Sequence, residues 1–472
     1  MPINVLLALM ATFWLAARAT AVSRTDPDEL QAVYDIMAAT GNGWAVHIPD
    51  VCKGRWHGIE CSPPDANSTL HITSLSFGVL SDDTAFPICN KHAFISPAIA
   101  RLSHLRRLFF YKCCTANPQP IPAEAIASLG PSLEVLVLRQ NGHVGAIPES
   151  LLSNLTNLHT LDLHGNSLSS PIPPSLGLLH NLLLLDLSRN QLSAALPFSL
   201  SQLTSLRVLD LSFNGLQGLL LDNIISQMTS LKKLDLGHNN FTGILPSLGF
   251  QSLQNLLLLD LSFNSFEGSL PPQLGQLGSL QALILDNAGQ LGSEIPVTFQ
   301  HLAQLEVLVM TSSGLVGEIP DIFYMMGKLK VLRMDNNKLT GAIPISLANL
   351  EELGELRLSH NRLAGTLPFS RDFVWRLGQH LHVNDNTNLC FHKALGPMAL
   401  KGIHECKNSL ISELLVEKAE GSPSPLTSHN PPPHRSPFFS HPLLHTSNTL
   451  KHSLPISIPL RILFLIGLAL LF

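Results

Sequence analysis

Leucine and other apolar residues return along most of the chain in one fixed pattern. The pattern reads Leu-x-x-Leu-x-Leu-x-x-Asn-x-Leu, is usually followed by Gly-x-Ile/Leu-Pro-x-x-Leu, and repeats at steps of 24 or 25 residues. Ten copies begin at Leu133, Leu158, Leu182, Leu206, Leu231, Leu256, Leu280, Leu305, Leu329 and Leu353. In the third copy, Leu182, Leu185 and Leu187 bracket a short strand, and Leu184 and Asp186 point to its other face because side chains alternate along a strand.

The rest of each copy explains why the pattern repeats. In the third copy the Asn190 amide turns inward, where it can bond to backbone groups that would otherwise be unpaired. Pro197 limits the return segment to a non-helical path. One copy cannot bury its apolar side alone, whereas stacked copies can. The sequence therefore predicts an α/β repeat fold, a right-handed leucine-rich-repeat solenoid with plant-type repeats of about 24 residues.

The repeats divide the rest of the chain into segments. We expect an N-terminal cap at residues 22–70, irregular first repeats with a loop insertion at 71–132, ten regular repeats at 133–368 and a C-terminal cap at 369–406. Residues 407–453 are rich in Pro, Ser and His. A segment of this composition cannot bury enough apolar surface to fold, so we expect residues 407–453 to be a disordered linker.

Both ends of the chain are apolar. The run from Val5 to Ala17, followed by Ala19-Thr20-Ala21, predicts a secretory signal peptide at residues 1–21. Residues 454–472 form a hydrophobic tail, and its unbroken part, Ile462 to Phe472, is shorter than the roughly 20 residues of a spanning helix. A transmembrane span and a glycosylphosphatidylinositol signal both remain open. Either one predicts a plasma-membrane protein with its repeats on the extracellular face.

Seven cysteines in a secreted chain indicate disulfides. Cys52 with Cys61 and Cys390 with Cys406 lie at the two ends of the solenoid, where its core needs a cap. Of the other three, Cys113 takes the inward Asn position of its repeat, and we pair it with Cys89. Cys114 is then a free thiol or a competitor for Cys89.

Two further features predict how the caps are built. Asp26, Pro27 and Glu29 have the spacing of a helix start, with Asp26 as the cap and Glu29 as its reciprocal capping-box partner. Trp375 is the large apolar residue that we expect to plug the C-terminal end.

Charge and motifs exclude several functions. A net charge of −5 gives no reason to expect nucleic acid as a partner. Motifs of serine hydrolases, zinc proteases and phosphate-binding loops do not occur, so we expect no enzyme, no cofactor and no metal. The strands carry one outward column of aspartates, which we interpret as solvated and structural: Asp162, Asp186, Asp210, Asp235 and Asp260.

Apolar side chains at outward strand positions are candidates for a partner-binding surface, because exposed apolar groups often mark contact sites. The candidates are Phe109, Tyr111, Phe213, Phe263, Val307, Val309 and Val331. Packing within the sheet is the equal alternative. Ala288 and Ser313 replace the inward Asn, so a partner could also dock near these repeats. Sequons at Asn67, Asn154 and Asn240 predict N-glycosylation.

Some stretches outside the generic repeat narrow the family. The phrase Leu-x-Gly-x-Ile-Pro resembles that of plant receptor-like proteins, receptor kinases and polygalacturonase inhibitors. Four stretches resemble more specifically the kinase-less receptor-like proteins of stomatal patterning: Leu75–Cys89, Leu105–Cys113, Pro131–Gly142 and Pro368–Cys390.

That resemblance implies a co-receptor. Members of this family pair with leucine-rich-repeat receptor kinases of the ERECTA type, sense secreted cysteine-rich epidermal patterning peptides and limit stomatal number. The alternative is a cell-wall protein that inhibits a polygalacturonase on the same scaffold. The hydrophobic tail favours the co-receptor, since a soluble inhibitor does not need one.

Overall fold

The structure, a computed structural model, describes residues 23–54, 57–79, 86–395 and 402–406. The expected signal peptide, the Pro-rich linker and the apolar tail lie outside these residues. Within the described ranges the dominant element is one long sheet with a strand from each repeat. Its strands, in spatial and chain order, are Ile59–Cys61, Ile72–Gly78, Arg107–Tyr111, Val135–Arg139, Thr160–Asp162, Leu184–Asp186, Val208–Asp210, Lys233–Asp235, Leu258–Asp260, Ala282–Ile284, Val307–Val309, Val331–Arg333, Glu355–Arg357 and Leu381–His382.

The order of the long sheet is the order of the chain, and its neighbours pair in parallel except at the first strand. Ile59–Cys61 runs antiparallel to Ile72–Gly78, with a register shift between Glu60 and Cys61. Equivalent positions of successive repeats are register partners, for example Asp162, Asp186 and Asp210. The predicted leucine-rich-repeat solenoid is confirmed.

A second set of strands follows the inward Asn position of the repeats. Seven of them form a second sheet: Val144–Gly145, Ser167–Pro171, Gln191–Ala194, Gly215–Leu219, Asn240–Ile244, Ser265–Glu267 and Gly289–Gln290. The remaining small sheets comprise Val316–Glu318 with Lys338–Thr340, then Ala364–Thr366 with Asn388–Phe391 and His404–Glu405, and Arg24–Thr25 with Thr69–Leu70.

Short helical segments close the repeats. The α-helices are Pro27–Thr40, Ala123–Ala127, Glu149–Asn154, Asp222–Ile225, Ser247–Gln251 and Arg371–Leu377. The 3-10 helices are Gly43–His47, Pro97–Arg101, Gly130–Ser132, Pro174–Leu178, Phe198–Gln202, Pro272–Gln276, Val297–His301, Phe323–Met325, Ile345–Asn349, Gly378–His380 and Lys393–Leu395. No helix in these described residues has the length and apolar character needed to cross a membrane.

Leucines fill one continuous core between the long sheet and these segments. Leu182, Leu185 and Leu187 are fully buried, as the pattern requires. Asn190 is also buried; its amide donates to the backbone oxygens of Leu163 and Leu187, each at 3.0 Å. The residue before the inward Asn adopts a left-handed conformation in repeat after repeat, with φ of 54° at both Arg189 and Phe213. This turn directs the chain from the long sheet into the return segment.

The N-terminal cap is built on the helix Pro27–Thr40. The Asp26 side chain accepts hydrogen bonds from the backbone N–H groups of Asp28 and Glu29, and Gly41 ends the helix with φ of 91°. Glu29 does not complete a capping box. Its carboxylate accepts a hydrogen bond from the Ile72 N–H instead, because the helix packs on the first strands and turns this side chain into the core.

Disulfides fasten both ends, as expected. Cys52 is bonded to Cys61, and Cys390 to Cys406. Cys89 is bonded to Cys113, which ties the inserted loop to the turn after the strand Arg107–Tyr111. Cys114 is a buried free thiol, and burial raises its pKa to about 11.

The C-terminal cap differs from the expectation. Trp375 is 64% exposed and does not plug the core. The helix Arg371–Leu377 buries Phe373, Val374 and Leu377 against the core. These three residues, on another face of the helix from Trp375, cover the C-terminal end of the core.

Candidate partner-binding face

The solvent-facing side of the long sheet, the concave side of such a solenoid, is here called the concave face. At its N-terminal end, Phe109 and Tyr111 project from the strand Arg107–Tyr111 and are half-buried. Their rings stack with centroids 6.0 Å apart. Burial, together with the negative charge of Asp162, raises the pKa of Tyr111 to about 12.

The aspartate column lies in the middle of this face and is not solvated, contrary to expectation. Asp162 and Asp210 are only 8% and 9% exposed. Burial, with the neighbouring charges of Asp210 and Asp162, raises the pKa of Asp186 to about 7. Side chains on adjacent strands screen the carboxylates from water, because the strands are only about 4.8 Å apart.

Two cations compensate most of the column. Arg139 lies 3.5 Å from Asp162 and 3.6 Å from Asp186. Lys233 lies 2.7 Å from Asp210 and 3.4 Å from Asp235. The column and its cations therefore form an internal network.

Stacked flat side chains run along the edge of the concave face. The Arg189 guanidinium lies 4.1 Å from the ring centroid of Phe213, which lies 3.9 Å from that of His238. The His238 ring lies 4.2 Å from that of Phe263. Phe213 and Phe263 were expected within strands. The structure places them just after their strands, in the left-handed turn, with φ of 54° and 50°. These four residues are called the aromatic row.

The three valines proposed as exposed contacts are buried. Val307, Val309 and Val331 are 1–3% exposed and form a small apolar cluster with Leu258, Ala282 and Ile284. They do lie at outward positions of the long sheet. Neighbouring side chains on four adjacent strands cover one another, so the alternative of packing within the sheet applies here.

A groove of about 370 Å³ adjoins this cluster. The lining residues are Phe263, Asp286, Asn287, Val309, Thr311, Ser312, Arg333, Asp335 and Arg357. Of the proposed contact residues, the structure brings Phe263 and Val309 to the groove. Phe109 and Tyr111 lie six strands away, roughly 29 Å at the usual strand spacing.

Most charged side chains that line the groove have a partner of opposite charge on this chain. Arg333 donates from Nε and Nη2 to the two carboxylate oxygens of Glu355, at 2.9 and 2.8 Å. The Arg357 Nε lies 3.5 Å from Asp335 Oδ1, which also accepts a hydrogen bond from Thr311. Arg333 and Arg357 occupy register positions of adjacent strands. That spacing is visible in the sequence and could have identified them.

Asp286 is the exception. Among the described residues its carboxylate has no hydrogen bond and no ion pair within 4 Å. Burial, with the charges of Asp335 and Asp260, raises the pKa of Asp286 to about 6, although Arg333 and Arg357 act in the opposite direction. The groove thus offers an uncompensated carboxylate beside the last ring of the aromatic row.

The two breaks in the inward Asn column lie at the same repeats. Ala288 has no side-chain amide. The Ser313 hydroxyl replaces the amide in its repeat and donates a hydrogen bond to the Leu285 backbone oxygen. The seven-stranded second sheet ends at Gly289–Gln290, and the next pair starts at Val316–Glu318. The break in the second sheet and the groove on the concave face therefore lie in the same repeats of the solenoid.

All three sequons are exposed at Asn67, Asn154 and Asn240. Asn154 ends the helix Glu149–Asn154, and Asn240 begins a strand of the second sheet, not a loop leaving the long sheet. Neither asparagine lies on the concave face, so glycans at these two positions would leave that face open.

Comparisons with known proteins agree with this architecture. A family model described as "Leucine rich repeat" matches residues 303–363, and one described as "Leucine Rich Repeat" matches residues 157–179, 205–226, 230–251 and 255–277. Over 137 residues the chain is 59% identical to Protein TOO MANY MOUTHS of Arabidopsis thaliana. The aligned segment is 29% of this chain and 27% of that protein.

Solved structures of plant receptors share the fold. The Arabidopsis receptor kinase HAESA ectodomain, in complex with an extended IDA peptide hormone, superimposes with a TM-score of 0.62 and 27% identity over 77% of this chain and 57% of that one. The plant peptide hormone receptor RGFR1, in complex with RGF2, gives a TM-score of 0.56 and 29% identity over 63% of this chain and 48% of that one.

These matches span only part of each relative, yet they agree with the repeat pattern and the solenoid fold. The chain is a leucine-rich-repeat protein whose solenoid is similar to those of plant receptor ectodomains, and part of it is closely similar to Protein TOO MANY MOUTHS.

Proposed function

We propose that this chain is a co-receptor, tethered to the plasma membrane with its repeats outside the cell. Its concave face would bind the ectodomain of a leucine-rich-repeat receptor kinase, a secreted peptide, or both together. The observation that carries this proposal is the groove at Asp286, where a partly buried carboxylate, without a hydrogen bond or ion pair among the described residues, lies beside the aromatic row. A solenoid that served only as a scaffold would gain nothing from such a carboxylate, because burying an unpaired charge costs free energy.

The finer assignment rests on similarity. The segment that matches Protein TOO MANY MOUTHS supports a role in stomatal patterning. We therefore propose kinases of the ERECTA type and cysteine-rich epidermal patterning peptides as the partners.

The groove has a chemical preference. Arg333 and Arg357 already face carboxylates of this chain, so the unbalanced charge is the negative charge of Asp286. The ring of Phe263, which ends the aromatic row, lines the same groove. A guanidinium or ammonium group from the partner would pair with Asp286 and lie against this ring, as Arg189 does against Phe213.

Co-purification of the full chain with candidate kinase ectodomains, with and without peptide, tests the proposal. We expect Asp286→Asn to weaken association by about tenfold or more, since hydrogen bonds to charged groups contribute about 1.5–3 kcal/mol. Phe263→Ala should weaken it by about two- to thirtyfold, since a cation–π contact contributes about 0.5–2 kcal/mol. Phe198→Ala is the matched control, because Phe198 is 60% exposed on a 3-10 helix away from the groove.

If the chain fails to associate with any candidate ectodomain, both with and without peptide, the co-receptor proposal is refuted. Inhibition of a pectin-degrading enzyme by the same preparation would then support the alternative. Association that is unchanged in both groove variants would move the interface elsewhere on the solenoid.

A further inference from the structure

We propose that Glu29, His71 and His104 form a binding site for a divalent metal ion of the zinc class at the N-terminal cap. Glu29 lies in the first turn of the helix Pro27–Thr40. His71 directly precedes the strand Ile72–Gly78, and His104 lies in the turn before the strand Arg107–Tyr111. The three side chains come from separate segments and match no sequence motif, and the co-receptor proposal does not use them.

The distances bring three ligand atoms to one point. Glu29 Oε1 lies 2.9 Å from His104 Nδ1 and 3.0 Å from His71 Nδ1. All three ligand atoms lie within 4.8 Å of one another, and the imidazole ring centroids are 3.8 Å apart. The other carboxylate oxygen, Oε2, accepts the Ile72 N–H at 2.6 Å, which holds the carboxylate in place.

This geometry is close to that of a zinc site. Zinc binds imidazole nitrogen at about 2.0–2.1 Å and carboxylate oxygen at about 2.0–2.2 Å. At a tetrahedral angle these bond lengths separate two ligand atoms by about 3.3 Å. The two observed N···O distances therefore need to widen by only about 0.3–0.4 Å. Two histidines and one glutamate are a ligand set that zinc uses with water in the fourth position.

Two surrounding features favour an ion at this point. Histidine ligands commonly place their second ring nitrogen against a carboxylate, which orients the ring. His71 Nε2 lies 3.8 Å from Asp65 Oδ2, on the side of the ring away from Glu29. His104 has a side chain that is 52% exposed, so an ion can enter from solvent.

The bland alternative is a hydrogen-bonded cluster. Each Nδ1 would then carry a hydrogen and donate to the same Oε1, and the Ser103 hydroxyl also lies 3.3 Å from His104 Nδ1. With an ion present, the same two nitrogens contribute lone pairs instead. The ion would cross-link the cap helix to the first two parallel strands of the long sheet.

Metal titration of the full chain separates these possibilities. The chain is purified through an affinity tag that contains no histidine, treated with chelator and titrated with Zn²⁺ alone by calorimetry; Co²⁺ reports tetrahedral coordination through its visible absorption. We expect one site whose affinity falls at least tenfold in Glu29→Gln and in His104→Gln. His92→Gln is the control for unspecific binding by surface histidines, since its ring is exposed outside the cluster.

Thermal unfolding provides a second readout. Zn²⁺ should raise the Tm of the wild-type chain and of His92→Gln but not that of His104→Gln. Glu29→Gln keeps an oxygen for the Ile72 N–H, and His104 is at the surface, so both variants should fold, as near-ultraviolet circular dichroism can check. The proposal is overturned if the wild-type chain has no saturable site, or if its site is unchanged in both ligand variants.

Discussion

Six aspartates of the concave face show how neighbouring side chains give the same residue type different roles. Asp162, Asp186, Asp210, Asp235 and Asp260 occupy equivalent strand positions, and Asp286 lies two residues further along in the next repeat. Two cations contact four members of the column, whereas none contacts Asp286 in the described residues. We infer that the column is structural and that the isolated carboxylate is available to a partner.

Because the pKa of Asp286 is raised, we expect the proposed binding of a cationic partner to depend on pH. A cationic partner binds the carboxylate form, whose fraction falls as the pH drops through about 6. At pH 5 about one tenth of the groups are ionised, so association should weaken about tenfold relative to pH 7. Affinities of this chain for a candidate kinase ectodomain, measured between pH 5 and 7.5 by surface plasmon resonance, test this.

The Asp286→Asn variant supplies the control for that profile. It should bind weakly at every pH and lose this titration step. A wild-type affinity that is flat from pH 5 to 7, or a step near pH 6 that persists in the variant, would assign the pH dependence to another group.

At the scale of elements, the inward asparagines connect one repeat to the next. Asn239 is buried, donates to the backbone oxygens of Leu211 and Leu236 at 3.0 Å, and accepts the Leu216 N–H at 3.1 Å. One amide thus serves backbone groups of two successive repeats. This explains why most repeats have Asn at a position that an apolar side chain could otherwise fill.

Asn239→Ala should lower the free energy of unfolding by about 2–4 kcal/mol, because it leaves several buried backbone groups without partners. Asn255→Ala is the matched control: its side chain makes one exposed hydrogen bond, to the Thr229 backbone oxygen, and should contribute less than about 1 kcal/mol. Urea denaturation of both variants measures the difference. Equal losses would show that the inward amide contributes no more than a surface one.

The caps are elements that the repeat pattern does not describe. The disulfide Cys52–Cys61 and the helix Pro27–Thr40 close the N-terminal end, and Cys390–Cys406 closes the other. A solenoid with open ends would expose its core there. The cap helix also places Glu29 beside the two histidines. The same packing of this helix on the first strands therefore covers the core and forms the proposed metal site.

For the whole molecule, the proposed co-receptor needs an attachment to the membrane, and the residues that would provide it lie outside the described ranges. The tail at 454–472 predicts either a span or a lipid anchor. Its short apolar run favours a lipid anchor on physical grounds, while the resemblance to single-pass receptor-like proteins favours a span.

Phosphatidylinositol-specific phospholipase C on intact protoplasts distinguishes the two. Release of the repeats into the medium is expected for a lipid anchor, and retention is expected for a span. Protein that is free in the medium before treatment would contradict both forms of attachment and favour the soluble inhibitor.

The sequence by itself determined the fold, the inward and outward positions of each strand and the pairing of cysteines at the two ends. It could do so because a 24-residue apolar period has one efficient way to bury its leucines, namely stacking copies side by side. The positions of Leu185 and Asn190 follow directly from that period.

Only the tertiary structure decided which outward residues meet water and which distant ones meet each other. Val309 and Phe263 are both outward in the pattern and both line the groove, yet side chains of adjacent repeats bury the first and leave the second partly exposed. Glu29 and His104 come together because the cap helix packs across strands that lie far along the chain. Exposure and long-range contacts depend on neighbours from other repeats, and a repeat pattern specifies the direction of a side chain but not those neighbours.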